Sequence, residues 1–169
     1  MSFVPARRFA GILAGAVMAA GASAQSSDRP DDNVVPAKLA VLVVEDDAAL
    51  LNMVGTALLF EGFKVETAGN GAEGLSCLRR GTPDLILLDL VLPWINGLEV
   101  LATLRSDPAT EDVPVIVMTG TATRPQDLNG LGPVDIVHKP FEIERLMNLI
   151  TNVLRRPRGL SRKVLLAQL

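Results

Sequence analysis

This sequence predicts a three-layer α/β sandwich around a five-stranded parallel sheet, on three observations. Short apolar, β-branched runs recur along the chain from residue 38 onward. Between them lie longer stretches whose apolar residues repeat at helical spacing. Glycine or proline closes those stretches, at Gly62, Gly81, Pro108 and Pro157. Strands alternating with helices imply parallel pairing through crossover connections.

Each element has its own reason. Leu39 to Val44 is an unbroken apolar run, as expected of a strand buried on both faces. Asp47 to Phe60 follows as a helix, with Leu50, Leu51, Val54 and Leu58 on one side and Asp47 placed to cap its start. Gly62 suits the left-handed position after that helix. Phe63 to Ala68 is the second strand, Asn70 to Arg80 the second helix and Asp84 to Leu88 the third strand. Gly97 to Ser106 is a helix stopped by Asp107-Pro108, and Val113 to Met118 is the fourth strand. Thr123 to Gly132 carries Pro125, Gly130 and Gly132, which leaves room for only a turn or two of helix. Val134 to Val137 is a short fifth strand, and Glu142 to Arg155 is an amphipathic helix with Leu146, Leu149, Ile150 and Val153 on one face. The whole is a doubly wound, flavodoxin-like arrangement, whose sites lie at the carboxyl ends of the strands.

Composition narrows the chemistry. The chain has 169 residues, 49% hydrophobic and 21% charged, sized for one globular domain with modest extensions. A single cysteine, Cys77, excludes an internal disulfide and a multi-thiolate zinc site. A single histidine, His138, excludes a multi-histidine metal centre and reads as a core or edge residue. No tyrosine and 4% aromatic content argue against reading nucleic-acid bases by stacking. The net charge of −3 is uneven: acids fill the middle, while Arg155, Arg156, Arg158, Arg162 and Lys163 crowd a tail that reads as a solvated end.

The carboxyl ends carry the informative residues. They are Glu45-Asp46-Asp47 after the first strand, Asp89 after the third, Thr119-Gly120 after the fourth and His138-Lys139-Pro140 after the fifth. Taken singly, such residues are ordinary caps or solvated ends. Together they place several carboxylates, a hydroxyl and a lysine on one face. Clustered carboxylates resist ionising beside one another, and a hard divalent cation such as Mg²⁺ resolves that. The lysine and the hydroxyl complete a place where a phosphoryl group could be held.

These residues, read in order, resemble the receiver domain of bacterial two-component response regulators. The likeness rests on Val41-Leu42-Val43-Val44-Glu45-Asp46-Asp47, on Asp84 through Gly97, on Pro114 through Gly120, and on His138-Lys139-Pro140-Phe141. It covers about 38–155. It implies that Asp89 accepts a phosphoryl group from a histidine kinase or a histidine phosphotransfer protein. It implies that Glu45 and Asp46 hold Mg²⁺ with Asp89 and the Val91 carbonyl. It implies that Thr119 and Lys139 receive the phosphoryl oxygens, and that the bond before Pro140 is cis. The chain departs from the pattern at Ile136, where the family carries a switch aromatic, and in the broken segment from Thr121 to Pro133. Acceptance of the phosphoryl group thus looks intact while the readout looks altered.

The remaining expectations concern organisation. Residues 1–37 comprise a signal-like stretch and a Ser/Asp/Pro linker, 38–156 the receiver, and 157–169 a short basic and apolar tail whose Val164-Leu165-Leu166 could extend a docking surface. Arg7 and Arg8, the apolar run from Phe9 to Ala20 and Ala22-Ser23-Ala24 follow a secretory pattern. Phosphotransfer chemistry belongs to the cytoplasm, so the expectation is a cytoplasmic protein read from too early a start, with Met18 as an internal alternative and no membrane insertion of the folded domain. Too few residues follow Arg156 for an output domain. The expectation is therefore a stand-alone receiver that signals to a downstream protein and binds no nucleic acid directly. An aspartate-nucleophile phosphatase would need a second acid two residues on, where this chain has Val91. A receiver-like interaction module that is never phosphorylated is the alternative.

Overall fold

The computed structural model describes residues 38–120, 128, 130–132 and 134–156. The linker, the signal-like stretch, the basic tail and most of the broken helical segment lie outside the described residues.

Five strands, β1 (Ala40–Val44), β2 (Lys64–Ala68), β3 (Leu85–Asp89), β4 (Val115–Thr119) and β5 (Asp135–His138), pair in parallel in the order β2-β1-β3-β4-β5. Four helices connect or follow them: α1 (Ala48–Phe60), α2 (Gly71–Arg80), α3 (Gly97–Ser106) and α4 (Ile143–Leu154). The chain first moves outward from β1 to β2, then returns to place β3 on the other side of β1. Strand order therefore reverses between β1 and β3, which is where doubly wound sheets build their sites.

Side-chain alternation along the strands feeds two cores. Leu42, Val44, Ile86, Leu88, Val115 and Val117 face Cys77 of α2 and Val100, Leu101 and Leu104 of α3. Val41, Val43, Leu85, Leu87, Ile116, Met118 and Val137 face Val54 and Leu58 of α1 and Leu146, Ile150 and Val153 of α4. Since β1, β3 and β4 are covered on both sides, they read as continuous apolar runs. At the edge of the sheet, β2 exposes Lys64, Glu66 and Thr67, charged and polar residues that discourage edge pairing.

The cap at Asp47 falls where the sequence places it. Asp47 Oδ1 accepts from the N–H groups of Ala49 (2.8 Å) and Leu50 (3.1 Å). Asn70 and Asn96 do the same for the third helical residues of α2 and α3. Gly62 takes φ +92° and closes α1. The strand ends differ by a residue or two. β3, β4 and β5 run on to include Asp89, Thr119 and His138, and β4 starts at Val115 rather than Val113. Pro114 lacks an N–H, although its carbonyl accepts from Ile86 N–H at 3.0 Å. His138 is exposed on edge strand β5. Arg105 of α3 donates to the carbonyls of Glu111 (3.0 Å), Val113 (2.9 Å) and Leu131 (3.1 Å), tying the approach to β4 and that to β5 onto one helix.

Candidate phosphoacceptor site

Glu45, Asp89 and Thr119 sit where β1, β3 and β4 end, and all three are buried; Glu45 is 1% exposed and Asp89 4%. Asp46, one residue further, is exposed. Lys139 follows β5 directly, and its N–H donates to the Thr119 carbonyl at 2.9 Å. The Lys139–Pro140 bond is cis. The Lys139 ammonium lies 2.5 Å from Asp89 Oδ2 and 2.8 Å from Glu45 Oε1. One cation thus bridges two buried carboxylates from neighbouring strands.

The second oxygen of each carboxylate is held differently. Asp89 Oδ1 accepts from the Val91 N–H at 2.9 Å, which fixes the carboxylate against the following loop. Glu45 Oε2 is 2.6 Å from the Lys139 ammonium, but the approach is off the hydrogen-bonding direction and this buried oxygen has no donor. Carboxylate oxygens of Glu45, Asp46 and Asp89 come within 4.8 Å of one another. Three acids against one amine leave an excess of negative charge. This all-oxygen set and its undonated buried oxygen fit a hard divalent cation.

Electrostatics follow from burial. Desolvation pushes the Glu45 carboxyl above its usual range, and the Asp89 charge adds to that, against the opposing pull of Lys139. Burial alone would lower the Lys139 ammonium, but its hydrogen bonds to Asp89 and Glu45 outweigh it and raise the pKa. A lysine raised in the folded state contributes stability that is fully present below about pH 10.4 and is lost as pH climbs through the higher folded value. Lys139→Met is therefore expected to cost about 3 kcal/mol at pH 7, because it strands buried carboxylates without a counter-ion. The deficit should narrow as pH falls through the raised Glu45 value, because a protonated Glu45 no longer needs the counter-ion. Urea denaturation of both proteins across pH 4 to 8 checks this, and a pH-independent deficit would contradict it.

Glu45, Asp46, Asp89, Thr119 and Lys139, which the sequence singles out, all lie at this end of the sheet. The closest packing behind it was not legible in the sequence. A Cβ on Gly97 would stand 2.1 Å from the Asp89 carbonyl oxygen and 2.6 Å from Leu90 Cα, so α3 begins directly against the backbone of Asp89. The Gly97 N–H donates to Leu90 O at 3.0 Å in the same place.

The model of the response regulator receiver domain matches residues 41–151. The chain belongs to this family. Receiver domains are signalling phosphoacceptors of two-component systems that bind Mg²⁺ at an acidic site. Among relatives of this receiver, the probable transcriptional regulatory protein TcrX of Mycobacterium tuberculosis is 40% identical over 118 residues, covering 69% of this chain and 50% of TcrX. The uncharacterized transcriptional regulatory protein YkoG of Bacillus subtilis is also 40% identical, over 69% of this chain and 51% of YkoG. The receiver's chain thus spans about half the length of the curated relatives it matches. Among solved structures, the chemotaxis protein CheY4 of Vibrio cholerae superposes with a TM-score of 0.65 at 29% identity, covering 69% of this chain and 99% of that one. The receiver domain of the sensor histidine kinase PA1611 of Pseudomonas aeruginosa, described with a magnesium ion coordinated in its active-site cleft, gives 0.64 at 25% identity over 71% of this chain and 100% of that one.

Proposed function

We propose that this receiver is a phosphorylation switch whose acceptor is Asp89, fed by a histidine kinase or a histidine phosphotransfer protein. It acts as a cytoplasmic domain over 38–156 and signals by contact with a downstream protein rather than with nucleic acid. The observation that supports this best is the bridging of Glu45 and Asp89 by Lys139 at the strand-order reversal. Among the described residues no helix is long and apolar enough to cross a membrane.

The chemistry asks little of the protein beyond position and charge. An Asp89 carboxylate oxygen attacks phosphorus in line with the P–N bond of the donor phosphohistidine. That bond breaks, its electron pair passes to the imidazole nitrogen, and an acyl phosphate forms. Lys139, already bound to Asp89, turns its ammonium to the incoming phosphoryl oxygens. Thr119, at the end of the adjacent strand, offers its hydroxyl to them. Glu45, Asp46, Asp89 and the Val91 carbonyl would hold Mg²⁺, which supplies neutralisation of the phosphoryl charge.

The test is intact mass after incubation with acetyl phosphate, with and without Mg²⁺. A single Mg²⁺-dependent phosphoryl adduct is expected. A folded protein with no adduct would instead favour the phosphorylation-independent interaction module, the reading that Ile136 in the aromatic position would suit. Mg²⁺ at tens of times its Kd should also raise Tm by roughly 5 °C through binding to the native state. Asp46→Ala should remove that shift, and an undiminished shift in the variant would dismiss the metal set.

A further inference from the structure

The loop between β3 and α3 holds an unusual residue. Trp94, the only tryptophan of the chain, is 84% exposed and has φ +65°. The Ile95 N–H donates to the Pro93 carbonyl at 2.9 Å, so Trp94 is the centre of a three-residue turn of the strained, positive-φ kind. A bulky residue in that backbone region is a genuine outlier, and such strain gathers at binding and switch sites. On either side, Leu92 and Ile95 pack into the α2–α3 core, which drives the indole outward. Val91 and Leu98, 59% and 40% exposed, add apolar surface within the same eight residues.

The loop is also tied to the acceptor. It starts at the residue after Asp89, and its Val91 N–H holds Asp89 Oδ1. Asp89 itself is nearly sealed. A protein donor has to bring phosphorus to about 3–3.5 Å from the attacking oxygen, and to do so it must cover the rim of the site. An exposed indole in the loop that leaves Asp89 is open to being covered with it, and tryptophan is among the residues most enriched in the anchors that dominate protein interfaces. The charge of the rim describes the partner: Asp46 and Asp47 are exposed there, while the half-buried Lys139 is taken up by Glu45 and Asp89, so the face that approaches is basic around its phosphohistidine.

We infer that Trp94, flanked by Val91 and Leu98, is the apolar anchor by which this receiver docks its phosphodonor protein, in a socket beside the phosphohistidine on a basic face. This rests on the proposed phosphoacceptor role of Asp89. It predicts that small donors and protein donors separate: acetyl phosphate needs no anchor, whereas a kinase or phosphotransfer protein does.

The informative substitution is Trp94→Gly, because glycine accepts φ +65° without strain and the variant should melt no lower than the parent. The probes are acetyl phosphate and the host's autophosphorylated histidine kinases with their phosphotransfer proteins, profiled at short times on the parent protein. With the fastest protein donor, Trp94→Gly should lose at least tenfold in phosphotransfer rate and Trp94→Phe should recover part of it, while the acetyl phosphate rate of both stays within twofold of the parent. An unchanged rate with the protein donor would overturn the anchor and leave the acceptor reading standing. An equal loss with both donors would overturn it as well, since Trp94 would then be acting on the acceptor loop. Acetyl phosphate labelling with no transfer from any protein donor would overturn it by removing the partner. Failure of acetyl phosphate too would fell the acceptor reading itself.

Discussion

Asp89→Asn should abolish phosphoryl acceptance outright while leaving the fold in place. An amide oxygen is a far weaker nucleophile than a carboxylate, and no other residue of the cluster can replace it. Glu45 is committed to the Lys139 ammonium by one oxygen. Asp46 is exposed two residues beyond the end of β1. The fold should tolerate the change because the amide keeps the shape, and its oxygen can still accept from the Val91 N–H. One charge also leaves a crowded acidic group, easing the repulsion that Asp89 exerts on Glu45. Stability within about 1 kcal/mol of the parent is expected, since one hydrogen bond and one like-charge contact are lost together. Intact mass after acetyl phosphate and thermal melting decide it. A variant that still gains a phosphoryl group would move the acceptor elsewhere.

Gly97→Ala is expected to be the most damaging single-methyl change at the site. The added Cβ meets Asp89 O, Leu90 Cα and Asp89 C, all of them backbone atoms that cannot rotate away. Either α3 retreats, breaking the Gly97 N–H bond to Leu90 and loosening Val100, Leu101 and Leu104 from their core, or the end of β3 shifts. Overpacking of this kind costs about 3 kcal/mol, and the Asp89 carboxylate moves with its backbone. Urea denaturation should show the loss, and acetyl phosphate labelling should fall at least tenfold even where the variant is fully folded. Parent-like stability would mean that the helix start yields more easily than its packing implies.

Gly97 also marks what the sequence could not disclose. The run from Asp84 to Leu88 shows a buried strand because side-chain burial on both faces demands apolar residues throughout. The ladder, however, is a backbone property and continues while a partner exists: Asp89 pairs with Met118 and Thr119 with His138. The polar residues read as following the strands are thus their last members. This makes the site stiffer than a loop cluster would be. The capping role of Asp47 was open to reading because it is local, and those of Asn70 and Asn96, local in the same way, come from the structure. The approach of α3 to Asp89, the turn at Trp94 and the grip of Arg105 on three carbonyls depend on segments meeting in space, and no periodicity encodes them. Ile136, expected as a departure, is half-buried beside Val134 and Leu131 against the α2–α3 core. There it fills space as an aliphatic residue and offers no ring to swing.

The division of the interior has a consequence for how this molecule can change over generations. Leu87 and Leu88 are covalent neighbours, yet they belong to different cores on opposite sides of the sheet. Substitutions on the two sides share no packing partners, so their effects should add rather than compound. The α1–α4 half can drift while the α2–α3 half keeps its grip on Asp89. α1 carries no charged residue and leaves Met53, Leu59 and Phe60 in water. A lineage could recast that helix for a new associate without renegotiating the acidic cluster around Asp89.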